Sequence, residues 1–448
     1  MTPPTTEFAL VNNTGSSNAF AYITGLDLGN NNAPIFLQSD GKTVYRPESP
    51  SKPQQPLGAD VAIPLGAPGS TTKVTIPRIA GGRIWFVIDG KLTFTLNPGP
   101  AIVEPAVTNK DDPNFGLHWG FAEFTFNDVQ LFVNISYVDF VALPIALNLR
   151  NEAGKEQIVQ GIPDGGLAEV AKKLEEQNAK DGAGWDKLVV RDGNGGLLRA
   201  LSPNSGRVAD AKLFEGYYAP YVDAVWSKYA SQDLTINTQW DWGDVKGRAS
   251  GDKLTFEANG KTMAFSKPSA ADIFSCSTGP FGNYPKDTAD VQGNLGARLA
   301  AALNRSTLLN NARQPDGENI QDYYKNDVTN HYARILHEVN PDGRGYAFSY
   351  DDVVASGDDK PDQAGTVFDG APQLLTVTLG SLAAKNSNGD NKNGSQDDDR
   401  SAAPEKPEKD EPKPAQPPAG NVGRKLADFF KGALGLVKKA GSCFGSRS

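Results

Sequence analysis

The stretch from His118 to Leu149, HWGFAEFTFNDVQLFVNISYVDFVALPIALNL, constrains the fold more than any other. Alternate residues of a β-strand point to opposite faces. FAEFTFN therefore sends Phe121, Glu123, Thr125 and Asn127 to one face, and Ala122, Phe124 and Phe126 to the other. One face packs as core, while the other presents a carboxylate, a hydroxyl and an amide in a row. The next segment, LFVNISYVDFVALPIAL, is apolar enough for burial yet carries Asn134, Ser136 and Asp139. It has none of the Lys, Glu or Thr that a solvated surface strand displays. Together the two segments predict strands with polar groups set among aromatics.

Glu123 and Asp139 are the acids of this stretch besides Asp128, which lies in an Asn-Asp turn signal. A carboxyl among apolar rings is pushed toward its protonated form, and one in a polar row stays ionised. Glycoside hydrolysis needs that division: one carboxyl protonates the leaving oxygen and the other acts on the opposite face of the sugar. The alternative is that each acid is a satisfied strand-end carboxylate. Spacing adds a demand. A tight turn at Asn127-Asp128 would set Glu123 opposite residue 132 and leave Asp139 about 20 Å farther along the strand. Shared chemistry thus predicts a wider connection centred near Leu131, or a β-bulge between Ser136 and Asp139. Inversion would further require the carboxyls roughly 6.5–9.5 Å apart.

These same residues carry a family resemblance. WGFAEFTFN followed by NISYVDFVALPIAL resembles the core signature of glycoside hydrolase family 64, endo-β-1,3-glucanases that release short laminari-oligosaccharides. ADIFSCSTGPF from Ala271, RLAAALNRSTLL from Arg298, NHYARILHE from Asn330 and GYAFSYDDV from Gly345 extend it, in order, over roughly residues 5 to 382. The resemblance implies Glu123 as general acid and Asp139 as general base of an inverting pair. It implies sugar contacts for Thr125, Asn127 and Ser136, a stacking surface at Phe132 where the family usually has tryptophan, and groove positions for Tyr350 and Asp352. Ser349 stands where the family commonly has proline. No metal or organic cofactor is implied.

The implied fold is β-rich α+β. A thaumatin-like β-barrel or sandwich would span residues 5–148, and a mixed α/β domain 149–382, with a last strand near 372–380 returning to the barrel. A wide groove would separate them. The implied activity is hydrolysis of β-1,3-glucan such as laminarin by a monomer. The alternatives are a non-catalytic, thaumatin-like glucan-binding protein that uses the acids only as hydrogen-bond acceptors, or activity on another neutral glucan. Relatives of this kind are extracellular. MTPPTTEFALVNN, however, has neither the basic n-region nor the apolar h-region of a secretory signal. A cytoplasmic location therefore stays open.

A net charge of −9 argues against nucleic acid, whose phosphates need a basic footprint, and is indifferent to a neutral polysaccharide. Short apolar runs punctuated by Gly, Pro and Asn over residues 7 to 100 predict a sandwich or barrel. Asp27 and Arg83 read there as structural polar residues. After Leu149, helices are predicted at 165–180, 212–231, 291–309 and 319–339, with strands at 233–239, 253–257 and 261–265. His331 and His337 are six apart on one predicted helix and cannot chelate one metal together. Cys276 and Cys443 are the only cysteines, and the tail position of Cys443 argues against a disulfide. No apolar run reaches the ~18 residues of a membrane span.

Residues 383–421 are rich in Pro, Glu, Lys and Asp and read as disordered linker. In 422–448, Leu426, Phe429, Phe430, Ala433, Leu434 and Val437 recur at helical spacing among Arg424, Lys425, Lys431, Lys438 and Lys439. That is a basic amphipathic helix suited to a membrane surface or a protein groove.

Overall fold

Hydrophobic alternation is realised in two β-sheets that face each other. A computed structural model describes residues 2–357 and 363–384. Residues up to Ala384 cluster as one unit. The predicted linker from 385 on and the amphipathic helix at 422–448 lie outside the described residues.

The first sheet has five strands in the order Glu156–Val159, Ile145–Asn151, Pro372–Leu379, Thr5–Asn12 and Thr71–Pro77. Its inward residues Phe8, Leu10, Ile76, Leu147 and Val377 are buried. On the outward side Lys73 pairs with Glu7 at 2.8 Å. Pro372–Leu379 runs parallel to Thr5–Asn12, so the end of the described chain is built into the sheet beside its beginning. The second, eight-stranded sheet follows the order Thr366–Asp369, Leu131–Ile135, His118–Phe126, Ile79–Ile88, Ala19–Asp27, Ala33–Leu37 and Val44–Tyr45, with Ile63–Pro64 also pairing with Ala19–Asp27. Ala122, Phe124 and Phe126 are at most 2% exposed, as their alternation requires. Phe124 meets Phe8 of the other sheet edge to face, ring centroids 5.3 Å apart. Both sheets end in unjoined edge strands, so the β portion is an open sandwich. The barrel form of the expectation is corrected: among the described residues no ladder closes either sheet on itself.

A bulge interrupts the strand Ile79–Ile88. Phe124 pairs with Gly82 while Phe126 pairs with Ile79. The extra residue falls at Gly81, whose φ of +55° suits glycine. Next to it, a Cβ on Gly82 would come within 2.5 Å of the Phe124 ring. This kink sits immediately before Arg83.

The region after Asn151 mixes helices with small sheets. Gly166–Asp181 buries Leu167, Val170, Ala171 and Leu174, the predicted stripe. Helix Ala219–Ser231 starts later than predicted, because Phe214 and Gly216 adopt positive φ and Pro220 fits only the first turn. Helix Ala289–Asn304 ends where Ser306 turns left-handed. The long helix predicted over 319–339 is broken. Ile320–Asp322 is a single 3-10 turn, Tyr324 has φ +59°, and Asn330 caps a new helix, His331–Val339, by accepting from Ala333 N at 3.1 Å. A five-stranded sheet of Lys261–Ser266, Lys253–Ala258, Asp244–Ser250, Leu234–Asn237 and Arg313–Gln314 completes this region. Among the described residues no helix is long and apolar enough to cross a membrane.

Candidate active site

The outer face of the eight-stranded sheet carries a lateral row of polar residues. Register sets Thr24 beside Arg83, Arg83 beside Glu123, Glu123 beside Asn134 and Asn134 beside Thr366. Directly paired residues on one face have Cβ atoms about 4.5–5.5 Å apart, so these side chains meet. An aromatic row flanks them, with Tyr22 opposite Trp85 and Trp85 opposite Phe121. The Arg83 guanidinium lies over the Phe121 ring at 4.9 Å and the Trp85 ring at 5.4 Å. Trp85 Nε1 donates to Thr24 Oγ1 at 2.9 Å.

Arg83 joins two acids. Its Nη1 pairs with the Glu104 carboxylate, and its Nε donates to Glu123 Oε1 at 3.3 Å. The Arg83, Glu104 and Glu123 side chains are 29%, 35% and 36% exposed, so the group opens to solvent from a recess. Glu104 follows the short strand Ala101–Val103 and comes from outside the sheet that holds Arg83.

Asp139 reaches the same group by a route that the spacing did not foresee. The hairpin turn is tight, with Asn127 N donating to Gln130 O at 3.1 Å, and Glu123 falls opposite Asn134. Neither a wide connection near Leu131 nor a bulged strand follows. Instead the strand stops at Ile135. Ser136 forms an isolated bridge to Tyr346, and Tyr137 N donates to Tyr346 O at 2.8 Å. The chain bends at 138–139, Asp139 O accepts from Ser202 N at 2.9 Å, and Phe140–Val141 joins the strand Leu197–Leu201. The bend returns Asp139 to within electrostatic reach of Arg83, Glu123 and Glu104.

Burial pushes the Asp139 carboxyl above the usual range, and the Glu123 charge adds to this while Arg83 opposes it. The Glu104 carboxyl is raised by burial too, against the pull of Arg83 and with the charges of Glu123 and Asp139 adding. Burial works against the Arg83 charge, yet the three acids outweigh it and hold the guanidinium protonated. Three acids thus share one cation.

The other predicted residues are distributed around this group. Thr125 is half-buried and pairs directly with Phe132. Phe132 is 8% exposed and stacks on Phe368, centroids 6.5 Å apart at 23°. Asn127 holds the turn, its Oδ1 accepting from Val129 N and Gln130 N at 2.9 Å. Ser136 is buried beside Tyr346. Tyr350 and Asp352 flank Asp351 in a separate loop. There the Asp352 charge acts on Arg298, and burial raises the Tyr350 phenol. Sequence reasoning missed Glu104 and Asn134 as site residues and read Arg83 as structural. Asn134 Oδ1 is buried without a hydrogen-bond partner in the row beside Glu123. A signal for Arg83 was present: it is the one charge in the apolar strand IAGGRIWFVI, and a charge there needs an acid.

A second arginine-centred group lies in the α/β region. Arg305 and Asp351 are fully buried, with Arg305 Nη2 donating to Asp351 Oδ1 at 3.2 Å and to Asp351 O at 2.7 Å. His337 Nε2 lies 3.1 Å from Asp351 Oδ2, and Ala347 N donates to the same oxygen at 3.0 Å. Thr307 Oγ1 donates to Glu318, which sits 3.9 Å from Arg305 Nη1. Burial pushes the Asp351 carboxyl up, but His337, Arg305 and the Ala347 amide outweigh it and hold it below its ordinary value.

Among the described residues no group of three or more His, Cys, Asp and Glu is arranged to hold a metal ion. Depressions of about 470 Å³ beside Tyr45 and Pro50 and about 400 Å³ beside Lys187 and Phe214 lie elsewhere. Neither is lined by Arg83, Glu104, Glu123 or Asp139.

Comparison with known proteins bears on this arrangement. The model of glycoside hydrolase family 64, described as β-1,3-glucanase, matches residues 4–379. The glucan endo-1,3-beta-glucosidase of Cellulosimicrobium cellulans is 31% identical over 310 residues, covering 68% of this chain and 53% of its own. That of Arthrobacter sp. (strain YCWD3) is 31% identical over 311 residues with the same coverage. This chain spans about half the length of these curated relatives. Among solved structures, a laminaripentaose-producing β-1,3-glucanase in complex with laminaritetraose superposes with TM-score 0.74 at 31% identity, covering 85% of this chain and 99% of that one. A family 64 β-1,3-glucanase domain from Clostridium beijerinckii shares the fold at TM-score 0.64 and 21% identity, covering 84% and 98%. On the match from residue 4 to residue 379 and the agreement in fold, the chain belongs to glycoside hydrolase family 64.

Proposed function

We propose that this protein hydrolyses β-1,3-glucan internally, with inversion, through Glu123 and Asp139. What supports the reading is that Glu123 pairs with Arg83 at the solvent-open group and that Asp139, sixteen positions on, lies within electrostatic reach of both. Glu123 donates its proton to the glycosidic oxygen as the bond breaks. Asp139 takes a proton from the water that attacks the anomeric carbon from the opposite side. Asp139 must be ionised to act as that base, and the Arg83 charge favours its ionised form against burial. The half-buried Thr125, two residues along the strand from Glu123, offers a hydroxyl to a neighbouring sugar, while the buried Trp85 and Phe121 rings back the Arg83 guanidinium. Tyr350 and Asp352 would meet the chain farther along. On this reading the sandwich, residues 5–148 extended by the rest of Ile145–Asn151 and by the strands Glu156–Val159, Thr366–Asp369 and Pro372–Leu379, and the α/β part between them border a wide groove, and the enzyme is an extracellular monomer.

Family membership and the names of the relatives support the substrate class. Product analysis on laminarin, cellulose and mixed-linkage glucan tests it, with release of short oligosaccharides expected from laminarin alone. Glu123→Gln should bind laminarin without turnover. A wild-type protein that binds laminarin and never cleaves it would instead make this a glucan-binding module. The two roles separate on an aryl laminari-oligosaccharide with a good leaving group. That substrate needs little acid assistance, so it should restore turnover to Glu123→Gln and not to Asp139→Asn.

A further inference from the structure

The Arg83 guanidinium makes contact with an acid that the proposed chemistry leaves unused. Its Nη1 pairs with Glu104 while only Nε reaches Glu123, at 3.3 Å. The Phe121 and Trp85 rings lie against the guanidinium at 4.9 and 5.4 Å. Glu104 comes from outside the sheet, on a loop after Ala101–Val103, and is aimed at a cation that already has an acid beside it in the register. Arg83 answers Glu123 within the sheet, so its pairing with Glu104 calls for a separate account.

We propose that Glu104 is a positioning residue for hydrolysis: it engages one edge of Arg83 and offsets its charge, so that Glu123 can hold the proton it must deliver. The proposal rests on Glu123 being the general acid. An unopposed guanidinium beside a carboxyl favours the ionised form, which is the wrong form for an acid at neutral pH. A fork of five donors would also turn toward Glu123 and bind it in both oxygens if nothing else held it. Glu104 prevents both. It occupies Nη1, leaving Glu123 a single, longer contact and a free oxygen for the substrate. Three acids around one arginine leave an excess of negative charge, so binding a proton is favoured. Glu123 loses its proton to the leaving oxygen while Asp139 gains one from the attacking water, and exchange with solvent resets both carboxyls before the next turnover.

The test is the pH dependence of kcat and kcat/KM for laminarin hydrolysis in wild type, Glu104→Gln and Glu104→Asp. Removing the negative charge at 104 favours ionisation of both remaining acids. Both limbs of the Glu104→Gln profile should therefore move to lower pH, by about half a unit or more. At neutral pH kcat should fall with KM little changed, and activity should recover toward the wild-type level on acidification. Glu104→Asp keeps the charge and should keep the limbs near their wild-type positions. A merely structural role would lower activity at every pH and leave the limbs in place, and that result overturns the proposal. So does an equal displacement in Glu104→Asp and Glu104→Gln. Glu123→Gln is the control. If it retains turnover, the acid assignment fails and Glu104 with it. If it is inactive while Glu104→Gln keeps the wild-type limbs, the Glu104 proposal alone fails.

Discussion

Two arginines each gather carboxylates, and the two groups differ in burial and in charge balance. Around Arg305 every charge is sealed: Arg305 and Asp351 have no exposed side-chain surface, and backbone carbonyl and amide groups join their hydrogen bonds, although Arg305 Nε finds no partner. There the partners more than offset burial, and the Asp351 carboxyl is held below its ordinary value. Around Arg83 roughly a third of each of three side chains faces solvent, and one cation serves three acids. There the balance runs the other way, and burial raises the Glu104 and Asp139 carboxyls above their ordinary values. Sufficient partners make an ionised carboxylate a brace. Too few make it a proton reservoir, which is what acid–base chemistry requires.

The contrast breaks most visibly at the acids themselves. Glu123→Gln and Asp139→Asn should each lower kcat on laminarin by about 10²- to 10⁴-fold, while thermal unfolding shows both variants still folded. The opposite pattern is expected at Arg305→Met. Stripping the buried acids of their cation should destabilise the fold by about 3–5 kcal/mol, read as a lower denaturation midpoint with unchanged slope. Activity per folded molecule should suffer far less than from either acid variant.

Acid titration sharpens the comparison. Because the folded value of Asp351 is depressed, its contribution is present above the unfolded carboxylate range and is lost as pH falls through the folded value. The stability gap between wild type and Asp351→Asn should therefore narrow on acidification. For Asp139 the folded value is raised, so its contribution is present below the unfolded value and is lost as pH rises through the folded one. Asp139→Asn should then be slightly more stable than wild type at neutral pH, a gain smaller than the losses above. Equal pH dependence for the two variants would erase the distinction between brace and reservoir.

The sequence made one half of this site legible and left the other hidden. Period-2 alternation in FAEFTFN put Phe124 against the core and Glu123 on the open face, because strand geometry leaves no other choice. The apolar run up to Leu149 likewise announced buried strands. What brings Asp139 to Glu123 was not in the alternation. The break after Ile135 is set by Tyr346, more than two hundred residues away, which takes over the pairing at Ser136 and Tyr137. Glu104 carried no local sign at all. It follows three strand residues and precedes a proline, and only the tertiary fold points it at Arg83. The long helix read over 319–339 failed for a similar reason. Its apolar spacing is real, but Asn330 offers a cap and Tyr324 a left-handed turn, and packing chose the interrupted form.

The central claim is that Glu123 and Asp139 act together across one sugar with a water between them. Proton NMR during early hydrolysis of a β-1,3-linked oligosaccharide tests it most directly, because the first-formed reducing end reports the side from which water arrived. The account predicts that the α-anomer appears first and mutarotates afterwards. First appearance of the β-anomer would mean a covalent intermediate and a closer pair of carboxyls, and would contradict it.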